Sequence, residues 1–130
     1  MLKKLMNAAE KEDWDYVDKK ILKAVKNPEV VEWAFERGLE NPDKNVRDLA
    51  ATILEKAKIS TDKFGSMRKK LYQVMASDIN PYARFRSAFA LAEHGAGEYK
   101  KEVVATLREA QRDDTVRGLA SKYLMKIYSD

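Results

Sequence analysis

The chain contains no cysteine, and that absence removes disulfides, thiolate metal sites and cysteine nucleophiles together. Glycine and proline are scarce, five and three in 130 residues, too few for the many tight turns of an all-β fold. The single histidine, His94, leaves no second imidazole for a two-histidine metal site. No apolar run approaches the roughly 18 residues that a membrane-spanning helix needs. The opening Met1-Leu2-Lys3-Lys4-Leu5-Met6-Asn7 is too short in its apolar stretch for a secretory signal. These absences lead to the expectation of a soluble cytoplasmic chain with no membrane contact, no metal, no cofactor and no enzymatic centre. Glutamine is also rare, only Gln73 and Gln111, against abundant lysine and glutamate, a bias found in thermophile proteins.

What is present points to helices. Apolar residues make up 45% of the chain, which excludes a disordered segment, and 130 residues suit one domain spanning 1–130. Alanine, leucine, lysine, glutamate and arginine dominate, all good helix formers. The net charge of +4 is unevenly placed. Residues 1–65 hold 13 basic and 13 acidic side chains, whereas residues 66–130 hold 12 and 8. A basic C-terminal half suits nucleic acid or an acidic partner, and a solvated helical surface accounts for it equally well.

The apolar period is helical along nearly the whole chain. Leu2, Leu5, Met6 and Ala9 mark a first helix. Asp13 or Asp15 caps a second, with Val17, Ile21, Leu22 and Val25 on one face. Asn27-Pro28 breaks the pattern and starts a third helix, with Asn27 as cap and Pro28 in the first turn. Asn41-Pro42-Asp43 precedes the stripe Val46, Leu49, Ala50, Ile53, Leu54 and Ala57. Residues 58–65 read as the longest connection. Met67, Leu71, Val74 and Met75 mark a fifth helix, residues 82–94 a sixth, and Val103, Val104, Leu107 and Ala110 a seventh. Gly95-Ala96-Gly97 is a turn, because no Gly-Lys-Ser/Thr follows to make a phosphate loop. Asp113-Asp114 opens an eighth, with Val116, Leu119, Ala120, Tyr123, Leu124 and Ile127.

Three segments repeat, beginning at Asp43, Asp78 and Asp113. Each places a small apolar residue (Val46, Ala83 or Val116) directly before an arginine (Arg47, Arg84 or Arg117). Two small residues follow four and five positions after the anchor, and a leucine eight positions after it. The anchors lie 37 and 33 residues apart, a period that marks a helical repeat array. The aspartate is expected to cap each second helix, the small pair to admit close helix approach, and the arginine to bond an adjacent carboxylate or carbonyl as a rung of a ladder.

This spelling resembles the HEAT-repeat superfamily, particularly the short HEAT-like repeats also found in phycobilisome lyases. Asn41-Pro42-Asp43-Lys44-Asn45-Val46-Arg47 is the nearest match, followed by Asp113-Asp114-Thr115-Val116-Arg117, and the middle copy departs through Ala83 and an insertion after Asp78. The resemblance implies an all-α fold: a right-handed α-α superhelix of about eight helices in four antiparallel pairs. Residues 28–57, 64–94 and 98–128 would be repeats and residues 1–26 a degenerate capping pair. It implies a scaffold that binds another protein on a concave face of second helices, as a monomer or weak homodimer. Two other functions belong to the same superfamily. One is a DNA-repair type of nucleic-acid binding through Arg84, Arg86, Arg117, Lys122 and Lys126. The other is an accessory of a lyase-type enzyme.

Phe85 and Phe89 align with Asp48 and Thr52 and with Gly118 and Lys122, polar or small residues elsewhere. One reading makes them an exposed aromatic patch for a partner, flanked by Arg86 and Lys122, with Thr52 at the equivalent position. The other makes them core, because Arg86 replaces the buried leucine of the other copies (Leu49, Leu119) and so rotates this helix. His94 is expected to satisfy helix-end carbonyls and the Asp113-Asp114 and Asp13/Asp15 pairs to cap helices rather than act as paired carboxylates. Trp14 and Tyr16 are read as core residues or as a dimer contact.

Overall fold

Short polar breaks cut the chain into helices. The computed structural model describes residues 1–129, which form nine α-helices, two short 3-10 turns and no strand. They are α1 (Leu2–Glu10), α2 (Trp14–Ala24), α3 (Pro28–Glu36), α4 (Lys44–Lys56), α5 (Thr61–Gly65), α6 (Arg68–Ser77), α7 (Pro81–His94), α8 (Lys100–Ala110) and α9 (Arg117–Ser129). Eight of these match the helices expected from the apolar period. The ninth, α5, lies in the segment read as a connection. Ser60 accepts the Lys63 amide there, and Phe64 buries completely, so one short turn forms where the stripe is too brief to read.

Caps decide the starts. Asp13, not Asp15, caps α2 by accepting the Tyr16 amide at 3.2 Å. Asn27 and Asn80 cap α3 and α7, each with proline in the first turn. Asp43 caps α4, accepting the amides of Asn45 and Val46 at 2.8 and 3.1 Å. The other two repeat aspartates do not cap in this way. The insertion before α7 hands that role to Asn80 and leaves Asp78 accepting the Asn80 amide. Asp113 accepts the Thr115 amide in the turn that precedes α9. Gly95, with φ +124°, ends α7 in a conformation that a side chain would strain, and Arg68 donates to its carbonyl at 2.8 Å.

Packing follows the repeat. Helices α1 and α2, α3 and α4, α6 and α7, and α8 and α9 touch in sequence order, and α4 against α7 is the most extensive contact in the chain. The anchors Val46, Ala83 and Val116 are all fully buried. So are Ala50, Ala51, Ser87 and Ala88 of the small pairs. At the N-terminal ends of α4 and α7, Asn80 donates to the Lys44 carbonyl at 2.9 Å, and near their C-terminal ends His94 Nε2 lies 2.8 Å from the Leu54 carbonyl. The two helices therefore run in the same direction. Tyr82 to Asp113 (2.9 Å) and Lys126 to Glu93 (2.9 Å) pin α7 to the α9 segment in the same sense. The first pair is different. There α1, rather than α2, is the element that packs extensively on α4. Trp14 and Tyr16, at the start of α2, are half-buried against the core.

The three repeat arginines each reach back to a carbonyl just before their own helix. Arg47 bonds Asn41 and Pro42, Arg84 bonds Met75, and Arg117 bonds Gln111. Two of them also reach forward. Arg47 grips Asp78 with two bonds of 2.7 and 3.0 Å, and Arg84 grips Glu109 with two of 2.7 and 3.0 Å. The hydrogen bond to Asp78 holds the Arg47 guanidinium above its ordinary range, and that to Arg84 holds Glu109 below the usual carboxylate range. Arg117 finds only Asp114, three residues back on an exposed turn.

The environments rank the rungs. The Arg47–Asp78 pair is largely shielded from water and bidentate, so Arg47→Ala should destabilise the chain by about 2–4 kcal/mol. Arg117→Ala, at the same repeat position but exposed, should change stability by less than about 0.5 kcal/mol. Urea denaturation of both variants checks the contrast, and equal losses would show that the arginines do not differ by burial.

Candidate functional site

Asp48, Thr52 and Glu55 lie at i, i+4 and i+7 on α4, so they form one stripe facing α7 and α9. Arg86, Phe89 and Glu93 continue it on α7, and Lys122, Tyr123 and Lys126 on α9. Arg86 sits between two acids, its Nε 3.8 Å from Asp48 and its Nη1 3.7 Å from Glu55. Tyr123 donates its hydroxyl to Glu55 Oε2 at 2.7 Å across 68 residues of chain. The Phe89 ring stacks on Tyr123 at 5.3 Å and lies 5.7 Å from the Arg86 guanidinium. Tyrosine and glutamate side chains together reach on the order of 10 Å, about one interhelix spacing. The bond joins α4 to α9 beside α7, which contacts both.

This geometry corrects the aromatic patch. Phe85 is 4% exposed and Phe89 is fully buried, and Thr52 is buried as well. None of the three is presented to a partner, and Arg86 and Lys122 do not flank an exposed patch. The physical reason is a swap between repeats. Copy one has a carboxylate (Asp48) and then leucine, whereas copy two has phenylalanine and then Arg86. Arg86 reaches across to Asp48, so a polar residue at that position is buried by its partner instead of facing solvent. The signal was present in the sequence as the reversed order of charge and apolar bulk at aligned positions. Glu55 and Tyr123 carried no such mark, because each sits in an ordinary helical stripe.

Burial pushes the Asp48 carboxyl up to about 6, against the pull of Arg86 and of the Thr52 hydroxyl. Burial and the neighbouring Glu55 push the Tyr123 phenol upward, so it stays protonated and donates. Glu55 Oε1, Arg86 Nε and Ser87 Oγ are buried without a hydrogen-bond partner among the described residues. Beside this network opens a groove of about 480 Å³ lined by Glu55, Glu93, His94, Leu119, Lys122 and Tyr123 together with residues 56–59 and Leu22. The His94 ring meets the Leu54 carbonyl through Nε2 at 2.8 Å and the Phe64 ring at 4.8 Å, and it makes no salt bridge among the described residues. Among the described residues, no group of three or more metal-ligating side chains converges.

The basic residues proposed for nucleic acid are brought to this half of the molecule but are mostly paired. Arg84 holds Glu109, Arg86 lies between Asp48 and Glu55, Arg117 holds Asp114 and Lys126 holds Glu93. Of the five, only Lys122 has no acidic partner among the described residues; it lies over the Tyr123 ring. No family model matches the chain, and no curated protein or solved structure matches it.

Two variants probe the network. The unfolded Asp48 carboxyl ionises near 3.8 and the folded one near 6, so between these values the folded protein holds a proton that the unfolded chain has released. This group's contribution to stability therefore falls as pH rises through that window and stays low above it. Asp48→Asn is expected to stabilise the chain by about 1–2 kcal/mol near pH 8, with the gain gone near pH 4, in urea melts at both pH values. Tyr123→Phe leaves a buried carboxylate without its donor and should cost about 2 kcal/mol, read in the same melts.

Proposed function

We propose that this chain is a HEAT-like solenoid whose concave second-helix face binds another protein. In this reading, α3 with α4, α6 with α7, and α8 with α9 are antiparallel hairpins stacked as a right-handed superhelix, and α1 with α2 caps the array. The repeat spelling, the common burial of Val46, Ala83 and Val116, and the shared direction of α4 and α7 support it. The observation that carries the choice of partner is the pairing of charge. Arg84, Arg86, Arg117 and Lys126 each face a carboxylate of the chain itself, so four of the five residues that would form a nucleic-acid groove are already paired. A surface of mixed, paired charges beside a groove suits a protein partner.

The test is capture with the full chain as bait, followed by cross-linking to map the contact. Cross-links should fall on Glu93, Lys122 and Lys126, and Lys122→Glu should weaken capture while leaving the helical circular dichroism intact. Duplex DNA at low salt should give no mobility shift. A shift whose strength falls steeply with added salt would replace this reading with nucleic-acid binding. Cross-links confined to the opposite, first-helix side would overturn the assignment of the face.

A further inference from the structure

A second cleft lies away from the buried network, where α2 ends, α3 begins and the chain leaves α4. It encloses about 800 Å³ and is open to solvent along one side. Its apolar surface comes from Leu22, Val25, Pro28, Val31 and Ile59. Lys26, Lys56, Lys58 and Lys63 line it with them, and no carboxylate does. Leu22 is 65% exposed and lies at the cleft's edge, open to a ligand.

The four lysines are exposed, and none makes a salt bridge among the described residues. Lysines near helix C-termini ordinarily complement the helix dipole, and α2 and α4 both end here. Each helix end offers about half a negative charge, so two ends offset about one of the four positive charges. The remainder is uncompensated, in contrast to the paired arginines of the other half. Of the first pair, α1 and not α2 makes the main contact with α4.

We propose that this cleft binds a partner segment in which glutamate or aspartate alternates with bulky apolar side chains. The apolar floor takes the leucine-like or aromatic groups, and the lysine rim takes the carboxylates. Three observations select this occupant. Duplex nucleic acid would satisfy the lysines but leave the apolar floor unused, and no aromatic side chain lines the cleft for a base to stack on. A long-chain fatty acid carries one carboxylate and would engage few of the four lysines. A peptide keeps its polar face outward in such a groove. The cleft also shares Leu22, Lys56, Lys58 and Ile59 with the groove beside Glu55 and Tyr123, so an extended or helical segment has a track to follow. Val25, Lys26, Pro28, Val31 and Lys63 line this cleft and not the groove, and Lys122 lines the groove and not this cleft, so variants at Lys26 and Lys122 separate the two sites.

The experiment uses the whole chain and a fluorescent synthetic amphipathic peptide with glutamates on one face and leucine and phenylalanine on the other. Controls are a scrambled peptide of the same composition, a polyglutamate peptide, sodium oleate and a short DNA duplex. Fluorescence polarisation should show saturable micromolar binding of the amphipathic peptide. Binding should weaken about tenfold or more in Lys26→Glu/Lys58→Glu and in Leu22→Ser, and be unchanged in Lys122→Glu. All these positions are exposed, and circular dichroism confirms each fold. Equal binding of the scrambled or polyglutamate peptide would overturn the proposal in favour of bare charge attraction. Displacement by oleate at a stoichiometry of one would assign the cleft to a small amphiphile, and tighter binding of the duplex would assign it to nucleic acid. Absence of saturable binding by wild type, or loss only in Lys122→Glu, would also overturn it; the latter would move the peptide to the concave face.

Discussion

The close, same-direction contact of α4 with α7 is what the rest of the molecule depends on. Alanine-sized residues on both helices are fully buried, and bonds pin the pair at both ends, Asn80 to Lys44 and His94 to Leu54. Once these helices are fixed, Arg47 has Asp78 within reach and Arg86 lies between Asp48 and Glu55. Their register also sets where α9 docks, because Tyr123 must cross to Glu55 and stack on Phe89. A larger residue at Ala51 or Ala88 would disturb several of these contacts together, since a packed interior has no room to absorb it.

The contact among α4, α7 and α9 is unusually polar. A carboxylate, an arginine, a tyrosine and a second carboxylate share a buried stripe, and three of their neighbouring polar atoms lack partners. Apolar side chains of similar size would often hold such a row as firmly. The network does supply geometry: through Glu55 and Tyr123 it ties α4 to α9. Its ionisation is also incomplete near neutrality, since Asp48 titrates close to 6.

Charge is handled differently in the two halves. In residues 66–130, Lys70, Arg84, Arg86 and Lys126 pair with acids on other helices or turns and Arg117 with Asp114 in its own turn, while the other basic residues make no salt bridge among the described residues. The first half has equal numbers of both signs, yet four lysines and no acid gather around one cleft. Net charge along the chain thus pointed toward the C-terminal half, whereas a cluster of four lysines without a lining carboxylate surrounds the end of α4 in the neutral half. Counting charges by segment misses this, because an ion pair between distant helices cancels a charge that a segment count retains.

The residue pattern by itself determined eight of the nine helices among the described residues, the caps at Asn27 and Asp43, the burial of the three anchors, and the arginines as bonding groups. These follow from local rules: periodic apolar residues, side chains that cap their own helix, and a repeated spelling. Only the folded arrangement decided that Phe85 and Phe89 are core, that Asp48 and Thr52 are buried polar groups, that Asp78 serves Arg47 and does not cap α7, and that α1 rather than α2 covers α4. Each of these depends on what a neighbouring helix brings to the position. A stripe on one helix records which side is apolar, but not whether a partner thirty residues away supplies an arginine, a phenylalanine or open water.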